Sequence, residues 1–226
     1  MSLKLFMHPL ASFCHKVLIA LYENDTPFEP VIIDLGDAES RARLADIWPI
    51  CQFPVLVDEA RDRTVPETSI IIEYLAQHYP GRSHLIPSDA DLARQTRLRD
   101  RFFDLHVQVP MQKIVGDRLR PAGKHDPFGV EQARASLNTA LAMIDRDMQS
   151  KTWAMGDDFS MADCAATPAL FYVNKVRPFA ADFSNAAAYL DRLLARASVV
   201  RTLVEAQPYM HFFPEADLNP DVHILD

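Results

Sequence analysis

The chain has 226 residues, of which 49% are hydrophobic and 24% are charged, and its formal net charge at pH 7 is −8. This composition is typical of a globular protein with one large domain or two small ones. The excess of acidic residues argues against a general nucleic-acid binder, because affinity for phosphates needs clustered Lys and Arg.

Membrane and secretion signals are not visible in the sequence. No stretch approaches the roughly 18 consecutive apolar residues of a membrane helix, and the first ten residues contain no signal-peptide pattern. The three cysteines, Cys14, Cys51 and Cys164, are odd in number and form no CxxC pair. Reduced thiols are therefore more consistent with the sequence than a disulfide framework. We expect a cytoplasmic protein that does not contact a membrane.

The first eighty residues alternate short strands with helices. Alternating or β-branched apolar residues predict strands over 3–8, 28–35, 53–59 and 63–67. Apolar residues at helical spacing predict a helix that ends near residue 24 and further helices over 38–47 and 68–80. The order β-α-β-α-β-β-α predicts a mixed sheet with helices packed on it.

The rest of the chain contains helical patterns and no convincing strand. Residues 82–92 contain Pro, Ser and Asp and are predicted to link two domains, an α/β domain over 1–81 and an all-α domain over 93–226. Helices are predicted over 90–119, 128–149, 160–176, 184–195 and 197–206. Ser160 and Asp163 have the spacing of a capping box, which indicates a structural role for both.

Several kinds of site are absent from the sequence. The six glycines form neither a GxGxxG nor a GxxxxGK[ST] loop, so a nucleotide cofactor is not expected. No HExxH or GxSxG motif is present. His8, Cys14 and His15 are close in sequence, but neighbours on opposite sides of a helix start rarely bind one metal. We therefore expect no metal site.

Four segments resemble the cytosolic glutathione S-transferases, and they occur in the order found in that family. They are HPLASFCHKVLIALYE, WPICQFPVLVDE, PETSIIIEYLAQHYP and FSMADCAATPAL. The resemblance covers essentially the whole chain. Within the family, the chain is most similar to the bacterial-type branch, whose members have a serine or a cysteine at the active site. It implies a thioredoxin-like N-terminal domain plus an all-α C-terminal domain, a homodimer, and transfer of glutathione to a small hydrophobic electrophile.

The resemblance also implies which residues bind glutathione. Pro54 matches a cis-proline, which would let the backbone of Phe53 pair with the cysteinyl unit like an added strand. Gln52 would lie near the glycyl carboxylate. Thr68 and the N–H groups of the helix that follows would receive the γ-glutamyl carboxylate, and Glu67 would face the α-ammonium group.

The group that activates the sulfur is left open between three alternatives. A free thiol has a pKa near 8.5, so the site must favour its thiolate. Many relatives have their serine or cysteine where this chain has Ala11, so we rank the neighbouring Ser12 hydroxyl first. The backbone N–H groups of Ser12 and Phe13 are the second alternative, and Cys14, forming a mixed disulfide, is the third.

The second substrate is expected between the first long helix of the all-α domain and the segment that begins at His8. The predicted pocket residues are His8, Leu10, His106 and Met111, and the aromatic tail over 207–218 would cover the pocket or seal the domain interface. Two other functions stay open. One is a glutathione-dependent thiol transferase or deglutathionylating enzyme that uses Cys14, and the other is a non-catalytic binding module of the same fold.

Overall fold

The computed structural model describes residues 2–214 and begins with an α/β unit. Its strands are β1 (Leu3–Met7), β2 (Glu29–Ile32), β3 (Val55–Asp58) and β4 (Arg63–Pro66). Its helices are α1 (Ser12–Glu23), α2 (Ala38–Ile47) and α3 (Thr68–His78). The element order is the one that the hydrophobic pattern predicts.

The four strands form one mixed sheet in the order β2-β1-β3-β4. β1 pairs parallel with β2 and antiparallel with β3, and β3 pairs antiparallel with β4. Successive side chains of a strand point to opposite faces, so Leu5 packs with residues of α1 and α3 while Phe6 packs with Leu44 of α2. Both faces of the sheet are thus covered by helices, as in the predicted thioredoxin-like domain.

The second unit is helical. It contains α4 (Ala90–Phe102), a π-helical segment (Phe103–Gln108), α5 (Val109–Arg118), α6 (Pro127–Asp147), α7 (Met161–Val176), α8 (Ser184–Leu194) and α9 (Ala197–Ala206), followed by a 3-10 helix (Gln207–Phe212). The predicted architecture of an α/β domain joined to an all-α domain is confirmed. Within residues 2–214, no helix has the length and hydrophobicity needed to cross a bilayer.

The predicted helix over 90–119 is not a regular α-helix along its whole length. The π-helical segment separates α4 from α5, and Pro110 is the second residue of α5. Because proline has no N–H group, it cannot donate to the carbonyl four residues earlier, and the helix changes its hydrogen bonding just before it. The irregularity lies beside the cleft between the two units.

The two units are joined through α1. Ile19 and Ala20 of α1 pack in one buried cluster with Met161 and Cys164 of α7. At the end of α1, Arg196 Nη2 lies 2.6 Å from a carboxylate oxygen of Glu23. This packing holds the second half of α1 against the helical unit.

The capping box at the start of α7 is present in the structure. The Ser160 backbone N–H donates to Asp163 Oδ2 at 2.9 Å. The other carboxylate oxygen of Asp163 accepts bonds from the Ala154 backbone at 2.8 Å and from the Tyr189 hydroxyl at 2.6 Å. The buried carboxylate therefore ties three parts of the helical unit together, and its role is structural.

Candidate active site

Two helices begin at the cleft without a side-chain cap. Neither Ala11, before α1, nor Glu67, before α3, has a side chain that accepts a hydrogen bond from the first turn of its helix. By contrast, α2, α4 and α6 begin at Asp37, Asp89 and Asp126, whose side chains each accept such a bond. Since uncapped N–H groups and the helix dipole favour anions, the N-termini of α1 and α3 can receive negative charge.

A cavity of about 220 Å³ lies at the N-terminus of α3. The structure brings six of the predicted glutathione-binding residues to its wall: Phe13, Gln52, Phe53, Pro54, Glu67 and Thr68. The Phe53–Pro54 peptide bond is cis. Thr68 is buried as the first residue of α3, and Glu67 before it has a φ of 69°, in the left-handed region.

The same cavity has a second wall that the sequence did not predict. It consists of Arg101, Asp104, Leu105 and Val109 from the first long helix, with Trp48 from the loop after α2. Asp104 is buried, and the loss of solvation raises the pKa of its carboxyl, while the nearby Lys16 ammonium acts in the opposite direction. No local motif marks these residues, because packing between the two units brings them to the cavity.

Ser12 is the first residue of α1 and is 8% exposed. Its Oγ accepts a hydrogen bond from Nε2 of Gln108, the last residue of the π-helical segment. Ser12 lines a second cavity, which adjoins the first at Phe13 and Phe53. The residue whose hydroxyl we ranked first therefore lines the second cavity and directly precedes Phe13, which lines both.

Cys14 lies in the hydrophobic core instead of the cleft. Its side chain is 0% exposed, and burial raises the pKa of the thiol to about 12. A nucleophilic cysteine needs an accessible thiolate at neutral pH. The structure therefore does not support the interpretation of Cys14 as the nucleophile of a mixed disulfide.

The segment between β1 and α1 is fixed by two side chains that bind its carbonyl groups. His15 Nε2 lies 2.6 Å from the carbonyl oxygen of Pro9, and the Tyr172 hydroxyl donates to the carbonyl of Leu10 at 2.6 Å. Burial lowers the pKa of His15 to about 4, so the ring is neutral at pH 7. Within residues 2–214, no group of three or more His, Cys, Asp or Glu is arranged to hold a metal ion.

The second cavity has a volume of about 430 Å³ and a mostly apolar wall. It is lined by Phe13, Phe53, Val115, Leu119, Tyr172, Phe212 and Phe213 together with the predicted residues His8, Leu10 and Met111. The loss of solvation lowers the pKa of His8. The cavity can therefore hold an apolar molecule beside Ser12.

The predicted pocket residue His106 does not line this cavity. It is exposed, and its ring centroid lies 5.6 Å from that of Phe102. The buried face of the π-helical segment carries Phe103, Asp104, Val107 and Gln108, and His106 lies outside that face. The structure thus corrects the assignment of His106.

The C-terminal tail forms one side of the second cavity. The Tyr209 ring meets the His8 ring edge to face at 5.0 Å, and the Phe213 ring stacks on Tyr172 at 5.4 Å. Phe212, Phe213 and Pro214 line the cavity. Of the two alternatives for the aromatic tail, these contacts favour the one in which it covers the pocket, and residues 215–218 lie outside the described part.

Comparisons with known proteins agree with this architecture. Family models for the glutathione S-transferase N-terminal and C-terminal domains match residues 5–83 and 127–192. A Pseudomonas putida glutathione S-transferase is 25% identical over 94% of this chain and 96% of its own, and a stringent starvation protein A homolog of Haemophilus influenzae is 25% identical over 87% of both. A Methylobacillus flagellatus glutathione S-transferase, solved with GSH (glutathione) bound, is 26% identical, with a TM-score of 0.82 over 89% of this chain and 98% of its own. The chain belongs to the cytosolic glutathione S-transferase family.

Proposed function

We propose that this transferase binds glutathione in the first cavity and activates its sulfur beside Ser12 for attack on an apolar electrophile in the second cavity. One observation carries the proposal: Phe13 and Phe53 line both cavities, and Ser12 lies beside Phe13 at the N-terminus of α1. A tripeptide extended along Phe53 would place its central thiol where the cavities meet. The thiol is then next to the hydroxyl and next to the apolar space.

The first cavity offers a partner to each polar group of glutathione. The uncapped N-terminus of α3 and the Thr68 hydroxyl suit the γ-glutamyl carboxylate. The carboxylates of Glu67 and Asp104, which line the same cavity, suit the α-ammonium group. Gln52 lies on the wall beside Phe53 and suits the glycyl end. Charge complementarity therefore supports binding of a tripeptide with this pattern of ends.

The chemistry requires a thiolate at neutral pH. Lowering the thiol pKa by about two units stabilises the thiolate by roughly 2.7 kcal/mol. A hydrogen bond from a hydroxyl to an anion contributes about 1.5–3 kcal/mol, and a helix N-terminus adds about 0.3–1 kcal/mol. Ser12 and the first turn of α1 are therefore a sufficient source. The thiol proton leaves to solvent, the thiolate forms a carbon–sulfur bond with the electrophile, and the electrophile's leaving group departs with its electron pair.

Glutathione calorimetry and conjugation assays test this function. We expect saturable glutathione binding, a large loss of conjugation in Ser12→Ala, and conjugation close to wild type in Cys14→Ala, because the Cys14 side chain is fully buried and lines neither cavity. The reverse order of the two variants would restore the thiol-transferase alternative. A chain that binds no glutathione at millimolar concentration would contradict the proposal and favour the non-catalytic binding module.

The family resemblance also leads us to propose a homodimer, formed through α3 and α4. Ile70 is 54% exposed on α3, and beside it Arg97 of α4 contacts both carboxylate oxygens of Glu73, at 2.6 and 3.0 Å. An exposed apolar side chain bordered by polar groups fits the anatomy of an interface, which has an apolar core and a polar rim. Light scattering should detect a dimer that Ile70→Glu dissociates. The free thiols of Cys14, Cys51 and Cys164 suit a reducing compartment such as the cytoplasm.

A further inference from the structure

Among residues 2–214, Gln108 is the residue whose side chain hydrogen-bonds to the Ser12 hydroxyl. Its side chain is 2% exposed, and its Nε2 donates to Ser12 Oγ across the boundary between the two units. Its other amide atom, Oε1, is also buried and has no partner among the described residues. A buried acceptor without a partner costs about 1–3 kcal/mol, so this amide is not explained by stability alone.

The direction of this hydrogen bond decides what Ser12 can do. A serine hydroxyl has one proton and two acceptor lone pairs. Because the Gln108 amide donates, it occupies a lone pair and leaves the proton of Ser12 for another acceptor. Within residues 2–214, no other group hydrogen-bonds to Ser12 Oγ. The proton is thus available to an anion at the edge of the second cavity, which Ser12 lines.

A second contact between the same two helices holds Gln108 in this place. Lys16 lies one turn after Ser12 in α1, and Asp104 lies four residues before Gln108 in the first long helix. Lys16 Nζ is 2.7 Å from Asp104 Oδ2, and both side chains are buried. This ion pair fixes the register in which Gln108 faces Ser12.

We propose that Gln108 is a positioning residue for catalysis, which keeps Ser12 as a hydrogen-bond donor to the sulfur of glutathione. The inference rests on the proposed function and adds a group that does not touch glutathione. An amide turned the other way, or a carboxylate in its place, would accept the Ser12 proton and leave no donor for the thiolate.

Replacing Gln108 therefore changes the titration of bound glutathione more than its binding. We expect Gln108→Met, which keeps the size and removes the donor, to reduce the bound thiolate about tenfold at a pH below the thiol pKa, which corresponds to a shift of about one pKa unit. Gln108→Glu, which is nearly isosteric and accepts the Ser12 proton, should reduce it at least as much. Glutathione affinity should stay within about twofold of wild type in both, since the tripeptide's ends are bound elsewhere.

The measurement is the ultraviolet absorbance of the bound thiolate against pH, with calorimetry for affinity. Ser12→Ala with Gln108→Met should equal Ser12→Ala alone, because the amide acts through the hydroxyl. Gln132→Met, an exposed glutamine on α6, is the matched control and should behave as wild type. If Gln108→Met does not fold, Gln108→Glu alone carries the comparison.

Two results would overturn the inference while the proposed function stands. One is a bound thiol that titrates as in wild type in both Gln108 variants. The other is a Gln108→Met substitution that reduces the fraction of bound thiolate equally in the wild-type protein and in Ser12→Ala. A wild-type protein that binds no glutathione, or that binds it with an ordinary thiol pKa, would instead contradict the proposed function, and the inference would be lost with it.

Discussion

Lys16 and Asp104 form a buried ion pair at 2.7 Å, and the same ammonium nitrogen lies 2.7 Å from Asp100 and 3.0 Å from the Ser69 hydroxyl. The Lys16 ammonium therefore joins α1, α3 and the first long helix of the second unit. Ser69 directly follows Thr68 at the start of α3, and Asp104 lines the first cavity. One buried cation therefore holds in place both helix N-termini that meet at the cleft.

Removing that cation should destabilise the fold. Lys16→Met leaves the buried carboxylates of Asp100 and Asp104 without the cation that they share, and breaking a buried pair in this way costs about 3–5 kcal/mol. Urea unfolding at pH 7 measures the loss in the free energy of unfolding. Lys4→Met is the control, because Lys4 pairs with Glu59 at the surface and its loss should leave stability near wild type. Equal midpoints for the two variants would contradict the structural role of the cluster.

The buried His15 predicts a loss of stability in weak acid. Its pKa is about 4 in the folded chain and 6.5 ordinarily, so between these values the unfolded chain binds more protons than the folded one. Stability from neutral His15 is present above pH 6.5 and is lost as the pH falls towards 4. From pH 7 to pH 5 this single group accounts for about 2 kcal/mol.

The variant His15→Gln isolates this effect. The glutamine amide can still donate to the carbonyl of Pro9 but does not titrate. Its free energy of unfolding should therefore fall less between pH 7 and pH 5 than that of wild type, by about 2 kcal/mol. Parallel pH profiles for the two proteins would show that His15 is charged, or solvated, in the folded state.

The three cysteines should differ in their reaction with a small alkylating reagent. Cys51 is partly exposed, whereas Cys14 and Cys164 are buried and burial raises the pKa of both thiols. In the folded protein we expect Cys51 to react first and the other two only after unfolding, because the thiolate is the reactive form. Mass spectrometry of labelled peptides measures the order. Fast labelling of Cys14 would contradict this order and support the alternative in which Cys14 is the nucleophile.

The elements that the sequence predicts well are those with a local signal. A helix starting near Thr68 could be predicted because an apolar run follows this residue and Pro80 and Gly81 end that run. The period-2 pattern of β1 likewise shows which of its side chains point to each face of the sheet. The resemblance to a family then brought Gln52, Phe53, Pro54, Glu67 and Thr68 into one site, and these residues do line one cavity.

The wall supplied by the second unit could not be predicted in the same way. Asp104 and Gln108 meet α1 through packing between segments that are almost a hundred residues apart in sequence. His106 was assigned to the pocket because it lies between apolar residues, but which face of a helix is buried depends on its rotation about its axis. The π-helical segment changes that rotation, and periodicity alone does not reveal it.

Kinetic measurements on two variants should distinguish the roles of the two cavities, because we propose that each cavity binds a different substrate. Thr68→Val keeps the shape of the side chain and removes the hydroxyl, so we expect KM for glutathione to rise about tenfold or more, as for a lost hydrogen bond to a charged group. Phe213→Ala enlarges the second cavity and removes the ring stacked on Tyr172, so KM for an apolar electrophile should rise while KM for glutathione stays near wild type. Initial rates with each substrate varied in turn measure both constants. If Phe213→Ala impaired glutathione binding, or Thr68→Val impaired only the electrophile, the assignment of the cavities would have to be exchanged.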